Sequence, residues 1–166
     1  MIVLIGFMGA GKTTVGALLA TAINRPFFDL DQLVENAAAC KIAEIFNRRG
    51  EAEFRRRELA ALRLLPPGWN GVLAVGGGAP VSPEAQAIFN NATVIYLQTN
   101  LDHAIARVGE DPSRPMLKSS NLPEIFNSRS VIYDAIADIK VSVEDVTPAQ
   151  VVSKLIDLLA NFRPVK

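Results

Sequence analysis

Five short apolar runs, each followed by a stretch with helical spacing, divide the chain. Met1-Ile2-Val3-Leu4-Ile5, Pro26-Phe27-Phe28, Val72-Leu73-Ala74-Val75, Thr93-Val94-Ile95-Tyr96-Leu97 and Ile139–Val143 have the length and content of buried strands. Val15, Leu18, Leu19 and Ile23 recur at helical spacing and predict a helix over Thr14–Ala22 lying on the sheet. It ends at Asn24-Arg25-Pro26, because proline disfavours helix in the residue before it. From Asp31 to Leu65 the pattern is helical with breaks near Ala39-Cys40-Lys41 and at Gly50, which predicts three short helices forming a cap. Pro66-Pro67-Gly68-Trp69-Asn70-Gly71 is a turn-rich connector. A helix opens behind Ser82 with Pro83 in its first turn, and others follow over Leu101–Val108, Pro123–Ala137 and, behind Thr147, Pro148–Phe162. Gly109–Leu122, with its glycine, two prolines and mixed charges, reads as a mobile loop able to act as a lid.

Short apolar strands alternating with helices imply an α/β fold: one domain, with a five-stranded parallel sheet and helices on both faces. In such sheets ligands gather beyond the carboxyl ends of the strands. The places to search are therefore Gly6–Thr14, Asp29–Asp31, Gly76–Gly78 and the loop after Val108. The first of these, Gly6-Phe7-Met8-Gly9-Ala10-Gly11-Lys12-Thr13-Thr14, has the spacing G-x-x-x-x-G-K-[ST] between a strand and a helix. Glycines let the backbone curl so that the N–H groups around Gly9, Ala10 and Gly11 point inward, and the positive end of the helix beginning near Lys12 adds to them. This is a cradle for the phosphates of a nucleotide such as ATP, a P-loop. Lys12 is expected on the β- and γ-phosphates and the Thr13 hydroxyl on a magnesium ion (Mg2+), while Thr14 reads as a structural residue of the same turn.

Composition narrows the partners. A chain of 166 residues suits one domain, and folding at that size hides roughly 70% of the unfolded surface. Lys plus Arg and Asp plus Glu are equal at 17 each, so no overall field draws the protein to nucleic acid or an anionic membrane. The single cysteine, Cys40, excludes an internal disulfide and a cysteine-based zinc cluster and suits a reducing compartment. No apolar run approaches the ~20 residues of a bilayer span, and no basic region precedes the first strand. The expectation is a cytoplasmic protein without membrane or nucleic-acid partners, acting as a monomer.

The residues around the cradle bear on the acceptor. Asp29 and Asp31, two apart in extended chain, would share a face and point into the crevice, one supporting the metal and the other taking a proton from an attacking hydroxyl. The plainer reading of Asp31 is a helix cap. Arg55-Arg56-Arg57 splay around a helix, so one or two at most can face a site, and such a run is usually a solvated face. Phe54 beside Arg55 suggests an aromatic wall next to a guanidinium able to clamp a carboxylate bidentately. Gly76-Gly77-Gly78 offers bare backbone for a substrate to press against. Arg114, in the lid, would stabilise charge on the transferring phosphate. Arg129, four residues before Tyr133, faces either crevice or solvent.

Taken together, the P-loop, Phe28-Asp29-Leu30-Asp31, the block Ile42-Ala43-Glu44-Ile45-Phe46…Gly50-Glu51…Phe54-Arg55…Glu58, Gly76-Gly77-Gly78, Arg114-Pro115-Met116-Leu117 and Arg129…Tyr133 resemble the shikimate kinases in order and spacing, over about Ile2 to Leu158. The resemblance implies a P-loop kinase fold with a helical substrate-binding cap and a lid, and ATP-dependent phosphorylation of the shikimate 3-hydroxyl on the way to chorismate and the aromatic amino acids. It further implies that Arg55 and Arg129 hold the shikimate carboxylate, and that Asp31 and the backbone around Gly76, Gly77 and Gly78 hold its ring hydroxyls. Asp31 is the candidate base, Asp29 supports magnesium with Thr13, and Lys12 and Arg114 contact the transferring phosphate. Arg107 and Pro148 would flank the adenine, and Phe46, Phe54 and Glu58 form the wall around the pocket. The chain departs from the family at Ala39 and Lys41, where glycine and serine are usual, and at Val131-Ile132, where a proline-leucine pair is usual.

Competing readings share the fold. A nucleoside monophosphate kinase would need a base pocket in place of the carboxylate clamp, and a gluconate kinase would lack the Phe54-Arg55 block. A non-enzymatic ATP-binding module would be expected to have lost at least one of Lys12, Thr13, Asp29, Asp31 and Arg114. His103 is given no catalytic role, and Trp69 is read as packing or surface.

Overall fold

A computed structural model of the chain describes residues 1–109 and 121–162. Strands β1 (Ile2–Ile5), β2 (Phe27–Asp29), β3 (Val72–Ala74), β4 (Thr93–Gln98) and β5 (Ile139–Ser142) form one parallel sheet in the order β2-β3-β1-β4-β5. The helices are α1 (Lys12–Ala22), α2 (Leu30–Ala38), α3 (Ile42–Arg63), α4 (Pro83–Phe89), α5 (Leu101–Val108), α6 (Leu122–Ile136) and α7 (Pro148–Asn161). A 3-10 turn at Ala79–Val81, not foreseen from the sequence, precedes α4.

Successive strand residues point to opposite faces, so the central strand feeds two cores. Val3 and Ile5, with Leu73, Val94 and Tyr96, meet Leu62 of α3, Phe89 of α4 and Tyr133 of α6. Ile2 and Leu4, with Val72, Ile95 and Leu97, meet Val15 and Leu19 of α1 and Val151 and Leu155 of α7. At the edges the pattern relaxes: Ile139 and Val141 of β5 are buried while Lys140 and Ser142 are exposed. On the opposite edge Trp69 stacks on Phe28 of β2, ring centroids 5.1 Å apart and planes 9° from parallel, so Trp69 is a packing residue.

The predicted helix α1 is present but rotated. Leu18, expected on the sheet, is 44% exposed, because Val15, Gly16, Leu19 and Ala20 form the inward face. Gly16 lets the helix lie close: a Cβ there would sit 2.5 Å from the Phe27 ring. The predicted caps of the later helices are present. Ser82 accepts from the Ala85 N–H at 3.3 Å, and Thr147 forms a reciprocal capping box with Gln150 ahead of Pro148.

The cap is built as three helical pieces. α2 starts where β2 ends, and α3 is interrupted at Gly50, whose φ of 76° and ψ of 177° turn the chain between two helical parts. The α2–α3 turn is fastened by Glu35, which accepts the Ile42 N–H through Oε1 at 3.0 Å and the Lys41 ammonium through Oε2 at 2.8 Å. Lys41 is thereby paired within the cap. Val34, Ile45 and Phe54 form a small core of their own beneath it. Among the described residues no helix is long and apolar enough to cross a membrane, and Cys40 is a half-buried free thiol.

Ala39 closes α2 in the left-handed region at φ 52°. That conformation costs a side-chain-bearing residue about 1–2 kcal/mol, while a glycine there adds about 0.4–1 kcal/mol of unfolded-state entropy. The strain is the larger quantity, so Ala39→Gly should stabilise the fold by about 0.5–1 kcal/mol, read as a raised midpoint in urea unfolding; a lowered midpoint would contradict it.

Candidate active site

β1 carries the chain to the middle of the sheet and releases it into the phosphate loop. Gly9 turns with φ 76°, and a Cβ on it would lie 2.4 Å from the Ala104 carbonyl oxygen of α5. Gly11, also left-handed, caps α1, and Ala10 is fully buried beneath the turn. The Lys12 ammonium folds back over the loop and donates to the Gly6 and Phe7 carbonyls, each at 2.9 Å. Thr14 lies on the exposed side of α1. The Thr13 hydroxyl donates to Asp29 Oδ2 at 2.6 Å.

The two aspartates do not share a face as extended chain would have it. Asp29 is still extended, with φ −107° and ψ 122°, and its Oδ1 accepts the Asp31 N–H at 3.0 Å as the N-cap of α2. Asp31 is already helical, so the side chains diverge: Asp29 turns to Thr13 and Asp31 to the end of β3. The capping role considered for Asp31 belongs to Asp29.

At the end of β3 the three glycines are contact surfaces. The direction in which a Cβ of Gly76 would project is flanked by Asp31 Oδ1 and Glu58 Oε1, each 2.9 Å from that point. The same point on Gly77 is 3.2 Å from the Tyr133 hydroxyl, 3.4 Å from the Gly6 carbonyl oxygen and 3.6 Å from Arg129 Nη1. On Gly78 it falls 2.1 Å from Arg55 Nη2, so the guanidinium lies directly on glycine backbone. Asp31, Arg55, Glu58 and Arg129 thus surround the triple glycine, and Gly6 links that cluster to Lys12. Arg129 faces this crevice. The Tyr133 hydroxyl donates to the Gly77 carbonyl oxygen, and burial pushes its phenol well above the ordinary value.

Of the three arginines, Arg55 alone turns in. Arg56 and Arg57 both pair with Glu53, at 2.8 and 2.7 Å, along the outside of α3. Arg55 lies over the Phe54 ring, 5.1 Å from its centroid, and Phe54 packs on Phe46 with centroids 4.9 Å apart. Its Nη1 donates to Glu58 Oε2, and Glu51 Oε1 accepts from Nε at 3.2 Å and Nη2 at 2.8 Å. Burial opposes the charge on Arg55, but the Glu58 carboxylate outweighs it and raises the guanidinium above its ordinary value. Glu58 is 2% exposed. Burial pushes its carboxyl up to about 7, against the pull of Arg55, with the Asp31 charge adding to the rise and Arg129 lowering it. Glu51 is quoted from the sequence only as part of the resembling block and given no role there, although its i,i+4 spacing to Arg55 is the signal for such a pair.

On the far side of the loop, Arg107 Nη2 donates to the Val143 carbonyl at 3.1 Å, and its Nη1 is 3.8 Å from where a Cβ of Gly11 would stand. Pro148 opens α7 a few residues after Val143. His103 sits in the first turn of α5, its ring 3.3 Å from the Thr99 hydroxyl. Arg114 and nearly all of the expected lid lie outside the described residues. The Thr13 hydroxyl and Asp29 carboxylate are hard oxygen donors beside the loop and suit Mg2+, which takes few protein ligands and keeps its waters. Among the described residues no three His, Cys, Asp or Glu side chains gather as a metal cage.

The raised Glu58 carboxyl has a measurable consequence. Because its folded value of about 7 exceeds the ordinary 4.5, the folded protein binds this proton more tightly than the unfolded chain. The associated stability is full below about pH 4.5 and is lost as pH rises to about 7, on the order of 3 kcal/mol in all. Urea unfolding should therefore show wild type losing stability relative to Glu58→Gln over that interval; parallel pH profiles for the two proteins would refute the shift.

Known proteins share this architecture. The family model for shikimate kinase matches residues 8–160. A shikimate kinase of Chromohalobacter salexigens is 42% identical over 160 residues, covering 93% of this chain and 89% of that protein. Among solved structures, shikimate kinase from Acinetobacter baumannii in complex with shikimate has a TM-score of 0.92 at 32% identity, covering 96% of this chain and 92% of that one. The enzyme from Aquifex aeolicus has a TM-score of 0.86 at 35% identity, covering 96% of both chains. On the strength of a match that runs through the phosphate loop, the cap and the triple glycine alike, this chain belongs to the shikimate kinase family.

Proposed function

We propose that this protein transfers the γ-phosphoryl group of ATP to the 3-hydroxyl of shikimate, giving shikimate 3-phosphate and ADP, as a cytoplasmic monomer. One observation carries the reading. The Gly6 carbonyl that accepts from Lys12 at 2.9 Å also lies 3.4 Å from the Cβ position of Gly77, so a phosphate cradle and an arginine-lined hollow share a wall. A small anion dense in hydroxyls needs what the hollow offers: guanidiniums for its carboxylate and carboxylate or carbonyl acceptors for its hydroxyls.

Arg55 and Arg129 hold the shikimate carboxylate, with Gly78 backbone leaving the guanidinium of Arg55 its place. Asp31, with Gly76 and Gly77, orients the ring hydroxyls. As the 3-hydroxyl oxygen bonds to the γ-phosphorus and the bond to the β–γ bridging oxygen breaks, Asp31 accepts the hydroxyl proton and later returns it to solvent. Lys12 leaves the loop carbonyls for the transferring phosphate, and Arg114 adds charge from the lid. Thr13 and Asp29 hold Mg2+, which when bound supplies further neutralisation of phosphate charge. The backbone of Gly9, Ala10, Gly11 and Thr14 surrounds the phosphates, while Arg107 and Pro148 flank the adenine.

The test is a coupled ADP-release assay of the purified protein with shikimate, gluconate and nucleoside monophosphates. Release with shikimate alone is expected; release with a nucleotide and none with shikimate would overturn the substrate assignment. Asp31→Asn should lower kcat at least about 10²-fold while ATP affinity stays within about twofold, since the lost group is the proton acceptor; turnover like wild type removes Asp31 from the chemistry. Gly78→Ala drives a methyl into the Arg55 guanidinium, a flexible side-chain end that can yield. It should raise the shikimate KM about ten- to a hundredfold, and an unchanged KM would remove Arg55 from the clamp.

A further inference from the structure

Arg55 is held by two carboxylates of very different character. Glu58 is buried, its side chain 3% exposed, and is fixed on Nη1; Glu51, one residue after the Gly50 kink, is 57% exposed. Glu51 takes the remaining edge of the guanidinium, Nε at 3.2 Å and Nη2 at 2.8 Å, and does so with one oxygen, Oε1, bridging both donors. Nη2 is also the Arg55 atom nearest the position a Cβ of Gly78 would take, at 2.1 Å. A free carboxylate arriving there can set two oxygens on two parallel N–H groups, the stronger arrangement, whereas Glu51 is limited by its backbone four residues away on the same helix. An exposed pair of this kind is weak and readily exchanged.

We propose that Glu51 is an internal stand-in for the acceptor's carboxylate: it occupies the Nε–Nη2 edge of Arg55 in the free protein and must be displaced when shikimate binds. This rests on Arg55 being the carboxylate clamp. Glu51 therefore sets acceptor affinity. It keeps the guanidinium pre-aligned against Gly78 and neutralised, and it discriminates against ligands that lack an anionic group able to replace it. Glu58 is never exchanged, because removing Arg55 from it would leave a buried carboxylate without its counter-charge.

The experiment is isothermal calorimetry of shikimate and of its methyl ester with wild type, Glu51→Gln and Arg55→Ala, together with the steady-state shikimate KM of the first two. With the competitor's charge removed, Glu51→Gln should bind shikimate about two- to fivefold more tightly, with KM falling in parallel. The ester, which has no carboxylate to compete, should gain nothing. Glu51→Ala provides a second variant should the glutamine hold Arg55 by its own amide oxygen. Unchanged or weakened shikimate binding in both Glu51 variants, with Arg55→Ala still impaired, overturns the stand-in and leaves the clamp intact. Undiminished binding by Arg55→Ala overturns the clamp itself, and the stand-in with it. An equal gain for the ester would mean that Glu51 merely obstructs the site, and would also refute exchange of carboxylates.

Discussion

The acceptor half of this molecule depends on one buried charge pair. Glu58 is removed from water on α3, a costly position for a carboxylate, and Arg55 one turn earlier offsets part of that cost. The pair fixes the guanidinium against Gly78, where any side chain would expel it. Around that fixed positive edge stand Asp31 from α2, which starts where β2 ends beside its neighbour β3, and Arg129 from α6. Chemistry, topology and the absence of a Cβ are thus a single constraint seen three ways.

The phosphate half obeys a different constraint, that of strand order. β1 is central, flanked by β3 and β4, so the loop leaving it is bordered by the ends of both. Gly6 touches the Leu97 carbonyl at the end of β4 on one side and approaches Gly77 beyond β3 on the other. Lys12 ties the loop's own carbonyls together, and Thr13 reaches across to Asp29 beyond β2. Both halves are therefore joined at the level of backbone and short side chains.

Much of this was legible in the sequence, and the gaps have physical causes. The apolar runs of β1, β3 and β4 are buried on both faces and could be read without partners; the P-loop spacing and the helix caps at Ser82 and Thr147 are local and were read directly. The phase of α1 was not, because Gly16 scores as neither polar nor apolar yet lies at the tightest contact with Phe27. The divergence of Asp29 and Asp31 was missed because the strand ends between them. That Arg55 is the arginine that turns inward was read from Phe54 beside it; what holds it there was not local, since Glu58 and Gly78 lie one turn and twenty-odd residues away and Glu53 draws Arg56 and Arg57 outward. Glu35 closing the α2–α3 turn across seven residues leaves no periodic trace.

The small core of Val34, Ile45 and Phe54 stands apart from the two cores on the sheet. Yet Ala61 of α3 packs against both it and the core that holds Leu62, so a change of shape in the cap has a direct route to the sheet. Reworking the interior of the cap therefore has to leave Ala61 its place on both sides.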